Sequence, residues 1–392
     1  MKLAAEILVP RGFEFSSATA GIKVSGSPDM ALAFAPQGAN AAAMFTTNRV
    51  VAAPLICGRE HLRRTRGRVR AVIVNSGNAN CATGEAGRRA CERVCGSVAK
   101  AAGCEKHEVF PASTGIIGVP LPADKLIRAI PRLFAGRASG ADAAERFARA
   151  IMTTDTRMKT ASARFGRATL FGTCKGAGMI HPRLATMLVY LFTDAVASPR
   201  ELGALLRDTV HVTFNRINVD TDTSTNDTVL LLASGEAGKV KKKDFGAALQ
   251  AVCESLAKQI VSDGEGVKHV VNLRIEGARS DAEASQVAKA IGNSMLVKTA
   301  WAGADPNWGR VLAAVGYSGV AVDPAKVDIF FGKHQVCRRG AAARFDAKKV
   351  HSYLSQPVFD VRVALGRGNI GATFWTCDLT SEYVHINADY HT

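Results

Sequence analysis

The sequence predicts a layered α+β sandwich. Helical periodicities and strand-like apolar runs interleave along its 392 residues without strict strand–helix–strand alternation, which argues against a doubly wound sheet. No fixed-period repeat or low-complexity tract suggests a solenoid. No apolar run approaches the ~20 residues that span a bilayer.

Apolar spacing predicts helices at 84–102, 122–135, 143–152, 198–210, 244–261 and 280–293. Two of them open on capping signatures. Ser198 precedes Pro199 with Glu201 three residues on, and Ser280 stands in the same relation to Glu283. Strand-like runs are "VRAVIVN" (69–75), "TMLVYLFTD" (186–194), "TVLLLAS" (228–234), "VDIFF" (327–331) and "FDVRVAL" (359–365). Gly366, Gly368 and Gly371 match a dinucleotide-binding fingerprint, but the β-rich "ATFWTCDLT" follows where a helix must open. A hairpin or bulge is the better expectation there.

Composition is that of a globular protein, 47% hydrophobic and 21% charged. The start lacks the long apolar stretch of a secretory signal, so an intracellular, cytoplasmic protein is expected. Nine scattered cysteines, an odd number, fit reduced packed thiols better than a disulfide framework. Cys91 and Cys95 lack a histidine partner nearby, so no metal site is expected. Net charge is +16, densest at 61–70, 239–243 and 337–344. Aromatics do not interleave with these runs, so a solvated basic surface is favoured over a nucleic-acid-binding one.

The chemically informative stretch is "CKGAGMIHPRLATMLVYLFTDA" (174–195). Gly176 and Gly178 admit backbone geometries closed to other residues, Pro182 interrupts regular hydrogen bonding, and an apolar strand follows. A hydroxyl at Thr186, where loop meets strand, suits an N-terminal nucleophile. It would attack the preceding carbonyl, take the Ala185 acyl group onto oxygen and lose it to water. The freed α-amine, with an ordinary pKa of ~7.7–8.0, then serves as the base. The residues alone allow the plainer reading of a β-branched residue opening a strand.

Those blocks resemble the ornithine acetyltransferase (glutamate N-acetyltransferase) family. Its members read Lys-Gly-(Ser/Ala)-Gly-Met-Ile, then Pro, then Ala-Thr-Met-Leu. The resemblance extends through 20–26, 45–54, 74–87, "PASTGIIG" (111–118), "IMTTDT" (151–156), 214–228, "SDGEGV" (262–267), 303–310 and 377–392. It implies an αββα sandwich of the N-terminal-nucleophile-hydrolase type with a C-terminal α/β portion at about 280–392. It implies cleavage between Ala185 and Thr186 into an α chain (1–185) and a β chain (186–392), assembled as an α2β2 heterotetramer.

Carried over by position, the resemblance makes Thr186 the nucleophile, and Thr114 and Gly115 the oxyanion hole. It makes Thr153, Lys175, Thr186, Glu265, Asn387 and Thr392 substrate-binding residues. Lys175 would face a substrate carboxylate, and Glu265 the side-chain ammonium of ornithine. The implied reaction moves an acetyl group from N2-acetyl-L-ornithine to L-glutamate within arginine biosynthesis. No metal, bound cofactor, nucleic acid or membrane is called for. Acetyl-CoA enters only as a donor substrate, as in some members. The rival readings are an aminopeptidase-type hydrolase with the same nucleophile, and a basic nucleic-acid-binding protein. Arg183 replaces the family's usual Asn, and Val267, Lys268 and His269 replace Ala-Thr-Lys. The block 220–228 borders the family's site and receives no role. The block 303–310 is expected to be a Pro/Gly turn with packed Trp308.

Overall fold

The computed structural model describes residues 1–181 and 187–389. The chain divides into two compact units. The first holds the described residues of Met1–Gly176, Arg183–Asn215 and Thr223–Leu256, the second those of Ala177–Pro182, Arg216–Asp222 and Ala257–Thr392.

The first unit is built on strands β1 (Glu14–Ala18), β2 (Met30–Phe45), β3 (Arg68–Asn78), β4 (Val109–Ile116), β5 (Lys159–Phe165), β6 (Ala168–Lys175), β7 (Leu188–Ala195) and β8 (Thr228–Gly238). They hydrogen-bond in the order β4-β3-β2-β8-β7-β6-β5, with β1 beside β2. Its helices are α1 (Ala53–Arg64), α2 (Gly84–Ala102), α3 (Ala123–Ala135), α4 (Ala141–Ala150), α5 (Pro199–Val212) and α6 (Lys242–Ser262), which runs on into the second unit.

The continuous sheet folds over at β2. That strand shifts register between Phe34 and Ala39, around Pro36 and a left-handed Gly38 (φ 76°). Its first half pairs with β1 and β3, and its second with β8. Side chains alternate across each strand. Val72, Val74, Phe110 and Ala112 therefore meet Phe171, Tyr190, Phe192, Leu230 and Leu232 in an inner core. Ala71, Ile73 and Val109 turn outward onto α2 and α3, through Cys95, Val98, Leu126 and Ile130. On the far side, a Cβ at Gly172 would collide with Val252 and Leu256 of α6, so that helix lies directly on β6. Two helical layers thus enclose two apposed sheet layers, the expected αββα arrangement.

The second unit carries β9 (Val270–Ala278), β10 (Asp328–Phe331), β11 (His334–Arg338), β12 (Ala341–Ala342), β13 (Val358–Ala364) and β14 (Ile370–Cys377), in the order β12-β11-β10-β13-β9-β14. Only β13 and β9 are parallel. Its helices are α7 (Asp281–Asn293), α8 (Met295–Ala302), α9 (Trp308–Gly316), α10 (Ala347–Leu354) and α11 (Ser381–Ala388). Leu273, Ile275, Phe374, Val287, Ile291 and Val315 share its core.

Both predicted caps form, one of them incompletely. Ser198 and Glu201 make a reciprocal box, whereas Ser280 accepts from Glu283 N–H but the Glu283 carboxylate turns to Arg279 N–H and Arg367. The glycine triplet at 366–371 is a turn into β14, with a register shift after Ile370. Gly368 and Gly371 are demanded by close approach, since a Cβ on either would lie 2.4 Å and 2.7 Å from the carbonyl oxygens of Ala278 and Ile275. Block 303–310 turns at Gly303 and Ala304 as expected and packs Trp308 against the core, and Asn307 then caps α9. All nine cysteines are free thiols. Among the described residues, no helix is long and apolar enough to cross a membrane.

Candidate active site

Thr186, Ala185, Arg183 and Thr392 lie outside the described residues. The remaining sequence-predicted residues fall into two groups, one in each unit.

In the first unit, Thr114 and Gly115 close β4 beside Ser76 and Gly77 of β3. Gly115 has φ +132°, and an added Cβ would lie 2.3 Å from the Gly77 carbonyl carbon and 2.5 Å from the Asn78 nitrogen. Only glycine fits there. Ser113, just before Thr114, is fixed twice: its hydroxyl donates to Asn75 Oδ1 at 2.6 Å, and its carbonyl accepts from Asn226 Nδ2 at 2.9 Å.

Thr153 and Lys175 converge on a buried carboxylate, Asp155. Asp155 Oδ2 accepts from the Thr153 N–H at 2.9 Å. Its Oδ1 accepts from the Gly176 N–H and from Lys159 Nζ, each at 2.6 Å. Burial alone would raise this carboxyl. The ammonium charges of Lys175 and Lys159 and the Gly176 N–H overcome that and hold it down at about 2. Lys175 ends β6 and is only 4% exposed, an ammonium whose charge is balanced inside the fold. Lys23 belongs to the same electrostatic neighbourhood. Its burial lowers its pKa, opposed by Asp29 and Asp155.

The segment leading into β8 bonds to both sides of this group. Asp227 Oδ1 accepts from the Met187 N–H at 2.8 Å, and the Asn226 amide reaches β4.

In the second unit, Glu265 Oε2 accepts from Asn387 Nδ2 at 3.0 Å, so the turn at 262–267 and α11 present these two predicted residues together. Close packing requires the flanking glycines. A Cβ on Gly178 would lie 2.4 Å from the Glu265 carboxylate, and one on Gly266 (φ +69°) 2.5 Å from the Tyr383 nitrogen. The departures at Lys268 and His269 are held by their backbone, both N–H groups donating to Asp378 Oδ1 at 3.1 Å. Asp220 accepts from the N–H groups of Met179 (2.5 Å) and Ile180 (2.8 Å). Burial pushes its carboxyl up to about 6 against the lowering effect of those bonds.

Sequence reasoning left Asp155, Lys159, Asp220, Asn226 and Asp227 unassigned. Asp155 stood inside the quoted block 151–156, and three of the others inside 214–228. An acidic or amide residue within an otherwise hydroxyl-rich run was the available signal.

In the basic segment 61–70, Arg63, Arg64, Arg66 and Arg68 are exposed and Arg70 is half-buried. Arg64 pairs with Glu60 and Arg68 with Glu108, and Arg70 donates to the Pro36 carbonyl at 2.6 Å.

A family model described as the ArgJ family matches residues 14–392. The arginine biosynthesis bifunctional protein ArgJ of Geobacter sulfurreducens is 45% identical over 395 residues, covering 97% of this chain and 99% of the relative. The protein of the same description from Thermus thermophilus is 43% identical over 386 residues, covering 98% and 100%. A solved ArgJ chain from Bacillus halodurans is 42% identical with a TM-score of 0.49, covering 50% of this chain and 96% of that chain.

Proposed function

The chain belongs to the ArgJ family of arginine-biosynthesis acetyltransferases, and on that premise we propose that it carries acetyl from N2-acetyl-L-ornithine to L-glutamate through an acetyl ester on Thr186. The match over residues 14–392, which takes in Ala185, Thr186 and the described residues placed above, carries this reading.

The peptide before Thr186 first breaks. The Thr186 hydroxyl adds to the Ala185 carbonyl, the acyl group passes from nitrogen to oxygen, and water hydrolyses the ester. This leaves chains 1–185 and 186–392, which stay associated as an α2β2 heterotetramer. In turnover, the Thr186 α-amine takes the hydroxyl proton as oxygen adds to the acetyl carbonyl. The Thr114 hydroxyl and Gly115 N–H donate to the oxyanion, a type of contact that contributes ~3–4 kcal/mol. The intermediate collapses as the α-ammonium returns the proton to ornithine nitrogen. Glutamate's α-amine then attacks the ester, and N-acetylglutamate leaves.

Two charged groups, a buried one at Lys175 and a half-buried one at Glu265, suit this substrate. Lys175, whose charge helps hold down the Asp155 carboxyl, faces the α-carboxylate. Glu265, oriented by Asn387, faces the side-chain ammonium of ornithine. Thr153 and Thr392 complete the substrate contacts.

Incubating purified protein with acetylornithine and glutamate is expected to yield ornithine and N-acetylglutamate. Omitting glutamate should limit rapid ornithine release to about one equivalent per site, the burst of an accumulating acyl-enzyme. Steady release of acetate with no acetylglutamate would instead identify a hydrolase. Salt-sensitive DNA retention that survives Thr186→Ala, without transfer activity in the wild type, would favour the nucleic-acid reading.

A further inference from the structure

Two adjacent side chains in the block 220–228 are enclosed and unused by the reaction as written: Asn226 is 4% exposed and Asp227 1%. Both N–H donors of the Asn226 amide are used. Its Nδ2 donates to the carbonyls of Ala79 (2.7 Å) and Ser113 (2.9 Å), and its Oδ1 accepts from the Thr225 hydroxyl (2.6 Å). Asp227 reaches elsewhere, accepting from the Met187 N–H at 2.8 Å, while the Met187 carbonyl accepts from Thr228 N–H at 3.1 Å. The carboxyl group therefore adds one rung to the β7–β8 ladder, on the Thr186 side of Leu188. The segment is itself anchored, because Thr46 donates its N–H to the Asp227 carbonyl and its hydroxyl to the Ser224 carbonyl.

A peptide group is planar, so a hydrogen bond to its N–H or C=O orients the Cα atoms on both sides. The plane that contains the Ser113 carbonyl ends at the Cα of Thr114. The plane that contains the Met187 N–H belongs to the peptide bond that follows Thr186 in sequence. Asn226 holds the first and Asp227 the second, and their own Cα atoms are about 3.8 Å apart.

We infer that Asn226 and Asp227 are positioning residues that set the spacing between the Thr186 nucleophile and the Thr114–Gly115 oxyanion hole. The inference rests on the assignment of Thr186 as nucleophile. Burial pushes the Asp227 carboxyl above its ordinary range, against the lowering effects of the Met187 N–H, the Lys175 charge and the Ser224 hydroxyl. Asparagine keeps a side-chain oxygen in the place from which Asp227 Oδ1 accepts the Met187 N–H.

The test measures cleaved fraction by intact mass, together with kcat and KM for acetyl transfer, in full-length wild type, Asp227→Ala and Asp227→Asn. Misplacing a reacting group by about 1 Å costs about 100-fold, so Asp227→Ala should slow cleavage and kcat by about that factor, with KM within about twofold. Asp227→Asn, which keeps the acceptor, should restore both to within about fivefold of wild type. An Asp227→Ala enzyme as fast as wild type overturns the inference, and so does an Asp227→Asn enzyme as slow as the alanine variant. If Asp227→Ala does not fold, Asp227→Ser, whose hydroxyl falls short of the Met187 N–H, replaces it under the same criteria. A wild type that transfers acetyl while uncut brings down the nucleophile assignment itself.

Discussion

Replacing Gly115 by alanine is expected to lower kcat for acetyl transfer by about 10²–10³-fold, the loss typical of a misplaced oxyanion donor. The reason is steric before it is chemical. The new Cβ would lie 2.3 Å and 2.5 Å from backbone atoms of Gly77 and Asn78, and backbone cannot swing aside as a flexible side chain can. With φ at +132°, alanine also loses the native backbone conformation. β4 must shift against β3, taking with it the N–H proposed to face the oxyanion. That contact forms fully only in the transition state, so KM should change much less than kcat. Steady-state kinetics of the purified variant check this. A kcat within about threefold of wild type would remove Gly115 from the oxyanion hole.

Asp155→Ala is expected to cost about 3–5 kcal/mol of stability, because it strands a buried ammonium. The Lys159 and Asp155 side chains are both fully enclosed, 2.6 Å apart. The carboxyl also gathers the Thr153 and Gly176 N–H groups, so its loss loosens both the segment before β5 and the exit from β6 at Lys175. The pH dependence has a defined sign. The folded carboxyl is held down at about 2, below its ordinary value of 3.8. Its stabilisation is therefore present above about pH 4 and lost as pH falls toward 2. Thermal or denaturant melts should show a wild-type advantage that is full at neutral pH and shrinks over that acid window. An advantage that stays constant down to pH 2 would contradict the ion-pair account.

The parts of the fold readable in advance were those whose local chemistry and tertiary role agree. The periodicity at 84–102 coincides with α2, and the Ser198–Glu201 pair marks the start of α5. β2 was unreadable for a physical reason. Its sixteen residues, MALAFAPQGANAAAMF, hold no β-branched side chain and include Pro36 and Gly38. Tertiary packing makes it a strand, since small alanines fit between apposed layers and the proline–glycine kink is where the sheet turns over. α1 meets the basic run 61–70 only in its last turn, and α11 was hidden within a polar tail that docks on the glycine turn at Gly266.

The candidate site divides in the same way. Glycines and hydroxyls at 111–118 and 174–178 stand out as motifs, and so drew attention to Thr114, Gly115 and Lys175. Asp155, Asn226 and Asp227 matter through bonds to residues far away in sequence, from Gly176 to Met187 and Ser113. Such pairings depend on sheet order, which no local pattern encodes.

The most direct test of the account is the intact mass of purified active protein. Two fragments are expected, the second beginning at Thr186, while Thr186→Ala remains one chain without transfer activity. A single uncut wild-type polypeptide that nonetheless transfers acetyl would contradict the account.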